Sequence, residues 1–330
     1  MTIIVDVEGM RTEEEFLRAL CRKLEEAGGA AQNALNHLSQ RLKQLLADGW
    51  EGNPLHAIGK LDPKQFSEAL IAALNAQTPT TLILIDEIAL FVAERLAQDP
   101  ESAKAFLYHL RRLRQAYPRV QWLLTGSVGL DVVARRAGVG GALVDLAIFP
   151  LEPFDAVAAR SYLDHLCATN AVRRPFSLDA EGFDSLAREL GWLAPFYIKL
   201  IADRVEPTGS TVNGRPSAGR ADIERAFGEL LRPEYRTTFA AFDEHIHKNF
   251  PATEERQLRV ILDVCCERAE GETVSTFLAL LQMGEAALST PEIKNHLTSL
   301  ETAGYLMLES DRWRFRSGLL RHYWLRYHHA

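Results

Sequence analysis

Residues Thr81-Leu82-Ile83-Leu84-Ile85-Asp86-Glu87 constrain this chain more than any other stretch. An unbroken apolar run leads straight into two carboxylates, and a helical pattern from Ile88 to Leu96 follows at once. A short continuous apolar run predicts a strand buried on both faces, as in a parallel sheet covered by helices. Acids at the carboxyl end of such a strand sit where open α/β sheets bind their ligands. A plainer reading stands beside this one. Asp is a good N-cap and Glu suits a first helical turn, so the pair could simply start a helix.

The surroundings repeat the theme. Residues 2–7, TIIVDV, predict a strand with an Asp near its end. The segment from Thr12 to Ala27 carries Phe16, Leu17, Leu20, Cys21 and Leu24 at helical spacing, and Thr12 with Glu15 has the form of a capping box. Amphipathic helices are expected at 30–48, ended by GWEGNP, and at 63–76, opened by Asp62-Pro63. A helix over 101–117 buries Phe106, Leu107, Leu110 and Leu113, and leaves Arg111, Arg112 and Arg114 on a solvated face. The strand 120–124 follows, ending in Thr125-Gly126-Ser127, then a helix over 128–137 and a strand from Leu143 to Phe149. Gly138-Val139-Gly140-Gly141 follows a helix and precedes no Lys-Ser/Thr, so it reads as a helix terminus rather than a phosphate loop. Strand alternating with helix argues for a mostly parallel α/β sheet over residues 1–150.

After Pro150 the pattern turns helical: 155–166, 178–190, 195–205 and a long stretch 222–249. Residues 206–220, EPTGSTVNGRPSAGR, read as a mobile loop or linker. Helices at 253–268, 274–281 and 290–302 then precede two short strands, 305–308 and 313–316, around a Glu309-Ser310-Asp311-Arg312 turn. Three helices and a hairpin in this order predict a winged helix-turn-helix over 251–330, with 151–250 as a helical domain of its own.

The length of 330 residues suits two or three domains. Net charge is −7, so any nucleic-acid contact would come from a local patch. No apolar run approaches the roughly 18 residues of a membrane span, and the acidic opening is unlike a secretion signal. Cys21, Cys167, Cys265 and Cys266 lack CxxC spacing, which fits a reducing cytoplasm. His245-x-His247 beside Cys265 and Cys266 has no recognised zinc spacing, His328 and His329 belong to the chain end, and no nucleophile motif such as GxSxG appears.

Taken together, these parts resemble one family: prokaryotic ATPases of the AAA+ and STAND type, in particular the archaeal-ATPase-like group. LILIDE at 82–87 looks like a Walker B strand. WLLTGS at 122–127 looks like the strand carrying sensor 1, LAIFPLEPFDAVAARSYL at 146–163 like the passage into a helical lid, GWLAPFYIKLI at 191–201 like the lid's Gly-x-Pro segment with looser spacing, and FRSGLLRHYW at 315–324 like the closing segment after a winged helix. The resemblance spans nearly the whole chain and implies an α/β P-loop NTPase core, a helical lid and a C-terminal winged helix. It implies ATP and magnesium as cofactors of the parent family. Asp86 would hold magnesium through nucleotide and water, and Glu87 would position the attacking water. Thr125 and Ser127 would sense the terminal phosphate, or else cap the 128–137 helix. Arg135 and Arg136 would reach a neighbouring subunit of a homo-oligomer, or else complement their own helix dipole. Lys294, Arg312, Arg314 and Arg316 are the candidate DNA contacts of the winged helix. Arg321 and Arg326 add basic charge behind it, with Trp313, Phe315, Tyr323 and Trp324 interleaved. A protein partner is the other use of that module.

The departure lies in what is missing. The sequence contains no GxxxxGK[ST], and its Gly59-Lys60 is followed by Leu61. The backbone cradle, the lysine and the magnesium-binding hydroxyl are absent together. In this family the P-loop strand lies between the sensor 1 strand and the last strand, so a core missing its first strand is expected. Either the last strand closes onto the sensor strand, or this is a truncated reading of a longer ATPase; the second is the expectation. The functional expectation is a nucleotide-dependent conformational switch that does not hydrolyse ATP as written, and this chain then needs no cofactor. The alternative is a non-catalytic DNA-binding or protein-interaction module on the same fold.

Overall fold

The computed structural model describes residues 1–46, 50, 52–78, 80–127, 129–282 and 288–328. The expected end of the second helix at Ala47 and Asp48, Gly49 and Glu51 of its break, the helix start at Val128, and His329 lie outside them. The chain divides into two compact units, Met1–Ile148 and Phe149–Ala330.

The first unit runs β1 (Thr2–Asp6), α1 (Glu13–Ala27), α2 (Ala30–Leu45), a 3-10 turn (Pro54–Ala57), α3 (Pro63–Asn75), β2 (Thr81–Asp86), α4 (Ile88–Gln98), α5 (Pro100–Ala116), β3 (Val120–Leu124), α6 (Leu130–Arg136) and a second 3-10 turn (Gly140–Leu143). The strands are parallel in the order β1-β2-β3, with Asp6 opposite Asp86 and Ile85 opposite Leu124. Helix starts are set locally. Thr12 Oγ1 accepts from the Glu15 N–H at 3.2 Å and the Glu15 carboxylate accepts from the Thr12 N–H at 3.0 Å, a complete capping box. Asp99 caps α5, with Pro100 at its first position.

Among the described residues the packed core of this unit lies on one face of the sheet. Ile3, Val5, Ile83, Ile85 and Val120 join Phe16, Leu20, Phe66, Leu70, Phe91 and Phe106 of the helices in one core. Phe106 meets both Phe16 and Phe91 edge-on, with ring centroids 6.2 and 5.5 Å away. The opposite parity of the same strands, Ile4, Leu82, Leu84 and Leu123, takes no part in that core. Ile4 is 57% exposed and Leu123 39%. The expectation of a central strand buried on both faces is therefore corrected: β2 alternates between fully and partly buried residues. An apolar residue at every position hides such an alternation from sequence.

The strand expected at Leu143–Phe149 does not form. Arg114 holds Asp145 through two 2.9 Å bonds and donates to the Ala142 carbonyl at 2.8 Å, while Arg111 donates to the Gly141 carbonyl at 2.8 Å. These bonds fix residues 141–145 against α5, and among the described residues no strand pairs with the outer edge of β3. Without a ladder partner the segment stays irregular, and Val144, Ile148 and Phe149 are exposed.

The second unit runs α7 (Ala156–Ala168), β4 (Ser177–Leu178), α8 (Ala180–Leu190), α9 (Pro195–Ala202), β5 (Thr211–Val212), β6 (Arg215–Ala218), α10 (Arg220–Leu230), a 3-10 turn (Pro233–Tyr235), α11 (Thr237–Asn249), α12 (Ala252–Glu267), α13 (Val274–Gln282), α14 (Thr290–Thr302), β7 (Leu306–Glu309), β8 (Arg312–Phe315) and α15 (Gly318–Tyr327). Residues 206–220, expected as a mobile loop, contain a β-hairpin. Asn213 and Gly214 take positive φ of 51° and 77°, the conformation of a two-residue turn, and β6 pairs in parallel with β4. The long helix expected over 222–249 is two helices, because Pro233 removes a donor and interrupts the ladder.

One core runs from Leu163 through Ile198, Phe227, Leu262 and Leu297 to Trp324. The expected separate domains 151–250 and 251–330 thus share a single interior. Helix α15 seals it: Trp324 is fully buried, and its indole N–H donates to Asp263 at 2.8 Å.

Candidate functional site

The carboxyl end of the first sheet collects the side chains singled out in the sequence. β2 delivers Asp86 to the surface, and Glu87 turns the chain into α4 with φ 57° and ψ 27°, a left-handed conformation that L-residues other than Gly, Asn and Asp rarely adopt. The neighbouring strand end holds that turn in place. The Thr125 N–H donates to the Ile85 carbonyl at 2.9 Å, and the Ile88 N–H donates to the Thr125 carbonyl at 3.3 Å. The first amide of α4 is thus satisfied by β3, not by a cap side chain.

The side chains then interlock. Thr125 Oγ1 donates to Asp86 Oδ1 at 2.6 Å, and the Glu87 N–H donates to the same oxygen at 3.1 Å. Ser127 donates to the Glu87 carboxylate twice, through its N–H at 3.0 Å to Oε2 and through its hydroxyl at 2.9 Å. Four residues from two strand ends form one network. Glu87, the N-cap of α4, makes no side-chain cap bond, and the N-cap of α6 is Gly129. The plainer reading of Asp86 and Glu87 as caps of α4 is not what these two side chains do.

Next door, Asp6 ends β1 in register with Asp86, and its Oδ1 accepts from the Glu8 N–H at 2.9 Å. The sequence had shown an Asp near the end of that strand, yet only the parallel register brings it beside Asp86. The left-handed turn at Glu87 had no signal in the sequence.

The other candidates lie elsewhere. Arg135 and Arg136 occupy the last turn of α6, both exposed, and Arg135 pairs with Asp131 one turn back at 2.8 Å. In the second unit Lys294 is exposed on α14. Arg312 donates to the Gly271 carbonyl at 3.0 Å. Arg314 pairs with Glu309 across the ribbon at 2.6 Å. Arg316 lies 4.5 Å over the Trp192 ring and donates to the Glu301 carbonyl at 2.9 Å, and burial lowers its pKa. Among the described residues, Arg312, Arg314 and Arg316 have internal partners and Lys294 has none. Among the described residues no cluster of three or more His, Cys, Asp or Glu side chains is arranged to hold a metal ion.

The fit of the site to magnesium and nucleotide can be judged from its donors. Oδ1 of Asp86 takes both hydrogen bonds, and Oδ2 accepts none among the described residues while the residue is exposed. One open carboxylate oxygen suits the water shell of a hydrated magnesium ion. Phosphates find less. The segments that leave this end of the sheet, 7–12 and 125–129, carry Glu8 and a single basic residue, Arg11, with no glycine-rich turn and lysine. The residues suit the metal and do not suit the phosphates.

No protein-family model and no curated protein matches the sequence. Among solved structures, a Walker-type ATPase of Pyrococcus abyssi aligns over 97% of this chain and 83% of its own, with a TM-score of 0.62 at 14% identity. The chain shares the fold of that protein. The ORC2 protein of Aeropyrum pernix, solved with ADPNP and ADP, aligns over 96% of this chain and 74% of its own at 13% identity, with a TM-score of 0.47. The Cdc6p protein of Pyrobaculum aerophilum aligns over 94% and 74% at 13% identity, with a TM-score of 0.36. Among the described residues no helix is long and apolar enough to cross a membrane.

Proposed function

We propose that this chain is a nucleotide-dependent conformational switch of the AAA+/STAND type that carries the acidic half of its ATP site. The observation that supports this reading is the network of Asp86, Glu87, Thr125 and Ser127 at the carboxyl end of the central strand, on a fold shared with a Walker-type ATPase. Asp86 would orient a hydrated magnesium ion through its open oxygen. Bound magnesium would neutralise charge on the phosphates of ATP. Glu87, now held by Ser127, would have to leave that partner to orient a water molecule. Thr125 and Ser127 tie the two acids to β3, so a change at the phosphates would be felt at both strand ends.

As written, the chain does not hydrolyse ATP, because no residue supplies the backbone cradle and lysine that position the terminal phosphate. In this reading α7–α11 form the lid and α12–α15 with the β7–β8 ribbon form a winged helix. That module docks a protein rather than DNA: Arg314 and Arg316 are committed internally, and the ribbon turn is the acidic Glu309-Ser310-Asp311. Arg135 and Arg136 face outward at the end of α6, where a second subunit of an oligomer could use them.

Thermal unfolding with and without magnesium-ATP tests the reading. A small rise in midpoint that requires magnesium and is lost in Asp86→Asn supports an acidic half-site. No shift at millimolar ATP favours the second reading, a non-catalytic interaction module, for which the poor fit to phosphates already speaks. Salt-dependent duplex binding lost in Arg314→Ala would show the winged helix on DNA after all.

A further inference from the structure

Four arginines of the second unit gather around two tyrosine rings. Arg204, just past α9, holds its guanidinium carbon 4.5 Å from the centre of the Tyr235 ring. Arg236, at the start of α11, and Arg326, in the last turn of α15, lie 5.4 and 5.7 Å from the centre of the Tyr327 ring. Arg232 precedes Tyr235 in the same turn, and its carbonyl accepts from the Tyr235 N–H at 3.0 Å. The rings belong to one surface, because the Tyr327 hydroxyl donates to the Leu231 carbonyl at 2.8 Å, next to Arg232. Arg232, Arg236 and Arg326 are exposed.

These four lack carboxylate partners. Elsewhere in the unit Arg220 pairs with Glu224, Arg259 with Asp243 and Arg314 with Glu309. Among the described residues none of Arg204, Arg232, Arg236 and Arg326 makes such a pair, and the Arg204 Nε–H is buried with no acceptor. The neighbouring acids are engaged. Asp203 and Glu206 flank Arg204 and are held by Lys199 and Arg174. Glu229 accepts from the Tyr235 hydroxyl at 2.9 Å, and Asp243 is held by Arg259. Glu234 is exposed and is the one acid of this stretch without such a partner among the described residues. Neighbouring like charges repel one another, and a bound anion relieves that repulsion.

We propose that this surface docks an acidic segment of a partner protein, its carboxylates on the arginine forks and an apolar residue against Leu325. Arginine offers its in-plane N–H groups to a carboxylate two at a time, and a ring beneath the guanidinium fixes that plane while leaving its edge free. Leu325, 37% exposed, precedes Arg326 on α15 and supplies the apolar contact. Nucleic acid fits less well. Strands that bind through aromatic side chains stack their bases on open ring faces. Here Tyr327 already meets Arg236, Arg326 and the Tyr323 ring at 5.2 Å, and Tyr235 carries Arg204. Both hydroxyls are taken, by Glu229 and by the Leu231 carbonyl. Guanidinium edges and a leucine remain on offer, which match a carboxylate-rich peptide with an apolar residue.

The surface uses none of Asp86, Glu87, Thr125 and Ser127, and its test needs no nucleotide, so its failure and that of the switch reading are separate.

The probe is a short labelled peptide of Glu and Asp around a central Leu, added to the full chain and followed by fluorescence anisotropy. Saturable binding that weakens as salt is added is expected. Arg232→Glu and Arg326→Glu, both at exposed positions, should each weaken it by roughly tenfold or more, with the unfolding midpoint of the free chain unchanged. Arg204→Lys keeps the charge and loses the fork, and should weaken binding as well. Arg22→Glu, at an exposed position of α1 in the first unit, should leave binding as it was. A peptide with Gln and Asn in place of Glu and Asp should not bind. No binding at excess acidic peptide overturns the proposal, as does a loss in Arg22→Glu equal to that in Arg326→Glu. Tighter binding of a DNA duplex or single strand than of the peptide, lost in the same variants, overturns it too and assigns the surface to phosphates.

Discussion

The two units solve the same problem differently. The second closes on itself: its helices, hairpin and ribbon share one interior, and α15 seals it with Trp324. The first closes on one side only, burying Ile83 and Ile85 while Leu82 and Leu84 face out from the same strand. The half-covered unit is also the one that carries the candidate site. Its acids and its left-handed turn lie at one end of β2, and the neighbouring β3 has an unpaired outer edge among the described residues. A unit made for its own stability has no reason to leave such a face bare, whereas a unit that must accept something does.

Substitutions can break this contrast. The largest effect is expected in the closed unit. Trp324→Ala removes a fully buried indole and strands Asp263, and should cost about 3–5 kcal/mol in denaturant unfolding. Next comes a matched pair in β1 and β2. Ile83→Ala on the covered face should cost about 2–5 kcal/mol. Ile4→Lys on the bare face should stay within about 0.5 kcal/mol of the native chain. Equal losses for the two would show that both faces are covered, and the contrast would fail.

A smaller effect separates the units by pH. Burial lowers the pKa of His109 in the first unit and His322 in the second. Each is favoured neutral in the folded chain, so the unfolded chain binds more protons as pH falls through the ordinary histidine range. Their stabilisation is complete above about pH 6.5 and is lost below it. His109 lies 2.7 Å from Ser67 across α3 and α5, and His109→Gln should flatten the acid-side loss in the first unit alone, as read by residue-resolved hydrogen exchange. The smallest effect is at the site. Thr125→Val removes one hydrogen bond at an exposed position and should cost no more than about 1 kcal/mol, yet it frees Asp86 and should alter magnesium affinity.

Much of the first unit was legible in its sequence. The three strands, the Thr12–Glu15 cap and the Asp62-Pro63 helix start depend on local signals, and the structure has them all. The site was legible as positions, since Asp86, Glu87, Thr125 and Ser127 each stand at a strand end. What escaped was tertiary. Thr81–Asp86 has apolar residues at both parities, so no periodicity could show that one face is bare. Leu143–Phe149 has the composition of a strand, yet a strand exists only with a neighbour, and here Arg114 holds the segment elsewhere. Asn213-Gly214 carried a hairpin signal that the surrounding Pro, Ser and Thr residues masked. Arg314 and Arg316 read as a basic wing until their partners Glu309 and Trp192 came into view.

In the proposed function, Asp86 and Glu87 form the acidic half of an ATP site whose phosphate half these residues do not supply. Phosphate release from the purified chain with magnesium-ATP tests it most directly. No release above that of Glu87→Gln is expected. A burst of phosphate from the native chain, abolished in Glu87→Gln, would contradict it.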